Sequence, residues 1–136
     1  MAIGVFGLQV AYKLKRTEVM SSNQTHGWYG GGNTASVPLA TVVSTVDRID
    51  FSNDSSSSSV KGSLSSTRHS IAAVGNSNYG WYAGGTNPSL TPAAVSTVDR
   101  IDFSNDSGTA SVRGLLSTGL TGFVATGNSN YGWQKD

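Results

Sequence analysis

Between residues 43 and 55, VSTVDRIDFSNDS, apolar and polar side chains alternate. Val46, Arg48 and Asp50 fall on one side of an extended chain, and Thr45, Asp47, Ile49 and Phe51 on the other. A period of two predicts a half-buried strand with Ile49 and Phe51 on one face and Arg48 on the other. The same letters return at residues 95–107, predicting a second strand with Ile101 and Phe103 opposite Arg100. A further string, GNSNYGW, stands at residues 75–81 and again at 127–133, and both pairs are offset by 52 positions. Around these anchors the pattern predicts strands at 59–64 and 111–116, at 70–75 and 122–127, and at 79–85, with 27–32 and 131–133 matching the last. Asn53-Asp54, Asn105-Asp106, Asn76-Ser77-Asn78 and Asn128-Ser129-Asn130 read as turns, because short amide and carboxylate side chains bond their own backbone. The serine run at 55–59 reads as a flexible surface turn. No window carries a helical period.

The chain thus divides into a unique segment, 1–26, a first repeat, 27–79, and a second repeat, 80–136, whose end opens a third copy. Four short strands in about fifty residues is the spacing of a β-propeller blade. The fold expected is all-β, with two blades of four antiparallel strands per chain. Propellers close with about four to eight blades, so two blades need sister chains to complete a ring. Gly30-Gly31-Gly32 and Gly84-Gly85 follow the aromatic strands. Glycine there predicts a positive φ or a very close neighbouring backbone.

Composition narrows the chemistry. The 136 residues carry 9 Lys and Arg against 8 Asp and Glu, a net charge of +1, which gives no basic stripe for nucleic acid. Cysteine is absent, which excludes disulfides, thiolate metal sites and thiol nucleophiles. No apolar run reaches the length of a bilayer span, so no membrane insertion is expected. In the first sixteen residues Lys13, Lys15 and Arg16 follow the apolar stretch instead of preceding it, unlike a secretory signal. Synthesis and first folding in a cytoplasm are expected.

Candidate catalytic groups are few. His26 and His69 occupy different contexts and neither recurs in the second repeat, so they read as surface or turn residues. Asp47 and Asp50, repeated as Asp99 and Asp102, lie three apart in a strand and point to opposite faces, which rules them out as a glycosidase pair. Their expected work is hydrogen bonding to turns and a local ion pair through Arg48 or Arg100. The turns at Asn53-Asp54 and Asn105-Asp106 offer fewer oxygens than the six to eight calcium takes. No serine stands in a G-x-S-x-G elbow, and the glycine triplet lacks a phosphate-loop pattern. No enzyme, cofactor or metal is expected. The aromatic set leaves two alternatives. Trp28, Tyr29, Trp81, Tyr82 and Trp133 either fill the contacts between blades or, with Asn78 and Asn130 nearby, bind glycans through exposed rings.

With its glycine-closed aromatic strand (27–32), its STVDRIDFSND strand and turn (44–54 and 96–106) and its NSNYGW segments (76–82 and 128–133), the chain resembles kelch repeat propellers. It bears a closer resemblance to the kelch-like repeat virion proteins of tailed bacteriophages, particularly phages of marine cyanobacteria. The resemblance covers essentially the whole chain and implies a structural component of a tail, fibre, spike or baseplate, located in the virion. It also implies a homo-oligomer, with a trimer of six blades favoured, other tail proteins as partners and host-surface glycans as a further one. The opening residues look like the short leaders of such proteins, and Ile3, Val5, Phe6, Leu8 and Tyr12 are the apolar positions for docking to another virion protein. Two departures stand out. Kelch-type blades carry an Arg ahead of the inner strand, which fits Arg68, but its counterpart is Leu120. Relatives also carry more than two blades.

Overall fold

In a computed structural model, which describes residues 25–34, 41–53, 55–128 and 130–135, the alternating segments pair as antiparallel strands. The leader positions Ile3, Val5, Phe6, Leu8 and Tyr12 lie outside the described residues. The strands run β1 (His26–Asn33), β2 (Val42–Asp50), β3 (Ser59–Ser63), β4 (Ala72–Gly75), β5 (Tyr79–Ala83), β6 (Thr97–Asp102), β7 (Ser111–Leu115), β8 (Val124–Gly127) and β9 (Gly132–Lys135). They form three open sheets in simple consecutive order: β1-β2-β3, β4-β5-β6-β7 and β8-β9. The described chain is all-β. The second sheet straddles the junction of the two repeats, taking β4 from the first and its other three strands from the second.

The turns follow from local bonding. Asn76 Oδ1 accepts from the backbone N–H of Asn78 and Tyr79, each at 2.9 Å, and closes the β4–β5 hairpin. Asn128 does the same for Asn130 and Tyr131 at 2.8 and 2.9 Å, closing β8–β9. The strand expected to run on through Phe51 stops at Asp50 in a 3-10 turn at Phe51–Asn53. Asp50 Oδ1 there accepts from the Ser52 hydroxyl at 2.6 Å and its N–H at 2.8 Å, bonds that hold the carboxyl below its ordinary range. Asp102 and Ser104 repeat the arrangement.

The doubled glycines have the geometry their repetition predicts. Gly31 has φ +69° and Gly84 +62°, and a Cβ on either would stand 2.5 Å from the Arg68 carbonyl or 2.6 Å from the Leu120 carbonyl. The next residues bond those same carbonyls, Gly32 N–H to Arg68 at 3.0 Å and Gly85 N–H to Leu120 at 2.7 Å.

The core lies between the first and second sheets. Val46, Leu64, Tyr82, Ile101 and Ala110 are buried together, with Trp28, Ile71 and Phe103 packed against them. Register explains which face each sheet commits. Tyr82 pairs with Asp99 and Gly80 with Ile101, so Tyr82, Asp99 and Ile101 share one face, which turns inward. In the first sheet Gly30 pairs with Val46 and Trp28 with Arg48, and it is this opposite face that turns inward. The face that carries Ile49 and Phe51 is therefore the outer one, and Phe51 is 51% exposed. Two copies stacked in the same orientation can only meet through unlike faces.

A fully buried ion pair crosses this core. Arg68 and Asp99 have no solvent exposure, and Arg68 Nη2 donates to Asp99 Oδ2 at 2.7 Å. Ser65 adds its N–H and hydroxyl to the same oxygen at 2.8 and 3.0 Å. Burial pulls the guanidinium below its ordinary range, and the Asp99 charge opposes that pull. Removing one partner of such a pair leaves the other charge buried alone. Asp99→Ala is expected to cost about 3–5 kcal/mol in urea denaturation, whereas Asp47→Ala, at the half-buried counterpart in β2, costs less than about 1 kcal/mol.

Candidate functional site

Adjacent residues on a strand point to opposite faces, and this rule splits the aromatic set. Trp28 faces into the join of the first two sheets. Its ring lies flat on Phe103, centroids 3.8 Å apart and planes 11° off parallel. Its indole N–H donates to Asp106 Oδ2 at 2.8 Å, and Arg48 Nη1 reaches the same oxygen at 3.0 Å. Tyr29, its neighbour, points the other way and is 60% exposed. In the second sheet Tyr82 is 4% exposed within the core, so no ligand can stack on it. That removes Tyr82 from the glycan-binding set.

Trp81, Asn130 and Trp133 do come together. They line a cavity of about 450 Å³ between the second sheet and the β8–β9 pair, along with Val98, Leu116, Phe123 and Tyr131. Tyr131 and Trp133 stand with ring centroids 6.1 Å apart. Asn78 instead borders a second cavity of about 380 Å³ that includes His26, Trp28, Arg48 and Tyr79. The seven expected glycan-binding residues thus fall into two cavities, one exposed face and one core position.

Asp106 is the functional-looking residue that sequence reasoning placed only in a turn. It is 6% exposed and collects an indole and a guanidinium from the other sheet. A signal was present: Trp28 and Arg48 recur as Trp81 and Arg100. Arg48 was expected to pair locally, and it bonds across the sheets instead. Arg100 stacks over the Tyr79 ring at 4.1 Å, and its Nε is buried with no hydrogen-bond partner among the described residues.

The histidines occupy structural places. His26 Nδ1 shares a hydrogen bond with the Thr25 hydroxyl at 2.7 Å, and its Nε2 lies 3.9 Å from Asp50 Oδ2. The His69 backbone exchanges two bonds with Thr86, at 3.1 and 2.8 Å. Among the described residues no group of three or more His, Asp or Glu side chains is placed to hold a metal ion, and no helix is long and apolar enough to cross a membrane. In comparisons with known proteins, no family model and no curated protein matches the chain.

Burial gives Tyr82 a testable signature, because it pushes the phenol up to about 12 from an ordinary value near 10. The unfolded chain then loses this proton first, so its share of stability is intact below pH 10 and falls as pH rises toward 12. The expected loss is about 3 kcal/mol across that window. Tyr82→Phe should flatten this part of the stability–pH curve, measured by chemical denaturation at stepped pH.

Proposed function

We propose that the protein is a non-enzymatic structural component of a bacteriophage tail or appendage, in which each repeat acts as a kelch-like propeller blade and several chains assemble into one ring. The observation that carries the assembly is an asymmetry between equivalent positions. Tyr29 and Phe51 are 60% and 51% exposed, while Tyr82 is 4% exposed and Phe103 is packed into the core. A face that is buried in one copy and bare in the next suits a surface that another molecule covers. The stacking of like sheets through unlike faces is the relation that neighbouring blades have in a propeller. The resemblance to cyanophage kelch-like proteins supplies the setting: a virion component, made in the host cytoplasm, that contacts other tail proteins through its leader and meets the host surface.

Two repeats per chain fit a six-bladed ring of three chains. Native mass spectrometry of the full chain is expected to give a species of three chains, and a stable single chain at every concentration would overturn the assembly. Deleting residues 2–16 is expected to leave the oligomer intact and abolish incorporation into particles, whereas normal incorporation would end the docking role.

Glycan binding is the second reading, and one observation favours it. The 450 Å³ cavity gathers two tryptophans, a tyrosine and two asparagine amides, Asn128 and Asn130, the mixture of ring faces and polar groups that holds a sugar. On a glycan array this reading expects binding by the wild type that Trp81→Ala removes at least about tenfold. Equal signal from both proteins, or none from either, ends it.

A further inference from the structure

We infer that the cavity between the second and third sheets is the receiving half of a head-to-tail contact, and that a second copy of this chain fills it with the outer face of its first sheet. The inference rests on the assembly reading above and adds to it the two surfaces that meet.

The join between the first and second sheets is built from two unlike faces. The first sheet offers Trp28, Val46, Arg48 and Leu64. The second offers Tyr82, Ile101, Phe103 and Asp106, and these mesh through the Trp28–Phe103 stack, the two bonds to Asp106 and the shared apolar core. Because the sheets are copies, each carries both faces. The counterparts of the first set are Trp81, Val98, Arg100 and Leu116. Trp81, Val98 and Leu116 line the cavity, and Arg100 keeps a buried Nε without a hydrogen-bond partner among the described residues. The counterparts of the second set include Tyr29, Ile49 and Phe51, on the outer face of the first sheet, where Tyr29 and Phe51 are exposed. Every chain therefore has a vacant socket and, on its first sheet, a bare plug.

The plug also has the right shape. Residues 43–55 and 95–107 are identical, so the face offered by a second copy matches the one already seated against the first sheet. Phe51 packs against Gly27 as Phe103 packs against Gly80, which puts both rings in the same attitude on their sheets. In the third sheet β8 and β9 stand where β4 and β5 stand in the second. The next place in that order belongs to a counterpart of β6, which no described residue fills. The β2 strand of a second copy has that sequence and continues the existing interface by one repeat. Strands β1 and β9 hold the same place in the order, so one of them yields on assembly. Such a contact is heterologous, the kind that closes rings.

One difference sets its strength. Within the chain, Asp99 is held by Arg68 and Ser65. Between chains, the second copy's Asp47 would meet Ser117 and Leu120, keeping the serine donors and losing the guanidinium. The contact between copies is accordingly the weaker of the two. Restoring the arginine should strengthen it, because a buried carboxylate gains most from a partner when it has none.

The test is sedimentation velocity on the full chain from about 1 to 100 µM, the range of moderate association. Phe51→Asp should lose at least about tenfold in association while its melting temperature matches that of the wild type at dilutions where both are single chains, because Phe51 is 51% exposed in the single chain. Leu120→Arg should gain at least about tenfold. A mixture of Phe51→Asp, with an intact socket, and Leu116→Asp, with an intact plug, should form a heterodimer that neither makes alone. An oligomer indifferent to both Phe51→Asp and Leu120→Arg overturns this pairing and leaves the assembly reading standing. Wild-type and Leu120→Arg chains that both stay single at about 100 µM overturn the two together. A sugar that occupies the cavity without competing with self-association assigns the cavity to a ligand and also overturns the pairing.

Discussion

A guanidinium and a carboxylate with no access to water hold the first two sheets in one alignment. Arg68 sits on the segment leaving β3 and Asp99 on β6, and the pair forms only when β6 lies under the end of the first sheet. Burying such a pair adds little net stability over an apolar one, since both charges lose their hydration. Its consequence is selective. Any slipped packing of these sheets strands one charge in a dry interior, so the native alignment stands apart from its competitors. Arg68 Nε and Nη1 and Asp99 Oδ1 have no hydrogen-bond partners among the described residues, which makes the interior intolerant of further loss at this point.

Around that pair the backbone repeats itself although the side chains do not. Leu64 N–H bonds the Ser44 carbonyl and Leu116 N–H the Ser96 carbonyl, each at 2.7 Å. Arg68 and Leu120 both accept from a glycine N–H and both donate to a valine carbonyl, Val43 or Val95, at 3.3 Å. The position thus has a main-chain role that any side chain fulfils and a side-chain role that only arginine fulfils. This is why the departure at Leu120 leaves the second unit's backbone unaltered. What changes is the chemistry offered to whatever lies above it.

Much of this architecture was legible in the letters because it depends on local rules. Alternation located the strands to within a residue or two, Asn76 and Asn128 marked the hairpins, and repetition of Gly31 and Gly84 marked a close backbone approach. What remained hidden was the choice of face. Periodicity puts Val46 and Ile49 on opposite sides of β2 but says nothing of which side is covered, since that is decided by the neighbouring sheet. For the same reason Tyr82 and Trp81, adjacent and both aromatic, could not be sorted into core and cavity. Asp106 reads as a turn residue in the sequence, because its partners Trp28 and Arg48 are 78 and 58 positions away.

The letter-for-letter identity of residues 43–55 and 95–107 also bears on how the chain reaches its native state. Strand β1 has the same complementarity for β6 as for β2, and β5 has the same for β2 as for β6. Nothing within residues 43–50 and 95–102 tells the two apart. Discrimination falls to chain connectivity, because the short excursion from β1 to β2 closes at lower entropic cost than one to β6. At high concentration that advantage weakens, and identical strands from different molecules become acceptable substitutes. Dilute refolding should therefore be clean and concentrated refolding prone to entangled species that retain native secondary structure. Sequence divergence between tandem units, where it occurs, acts as an address label, and this chain carries its labels on the flanking strands, where Ser63 answers to Leu115 and Gly30 to Ala83, and none within residues 43–55.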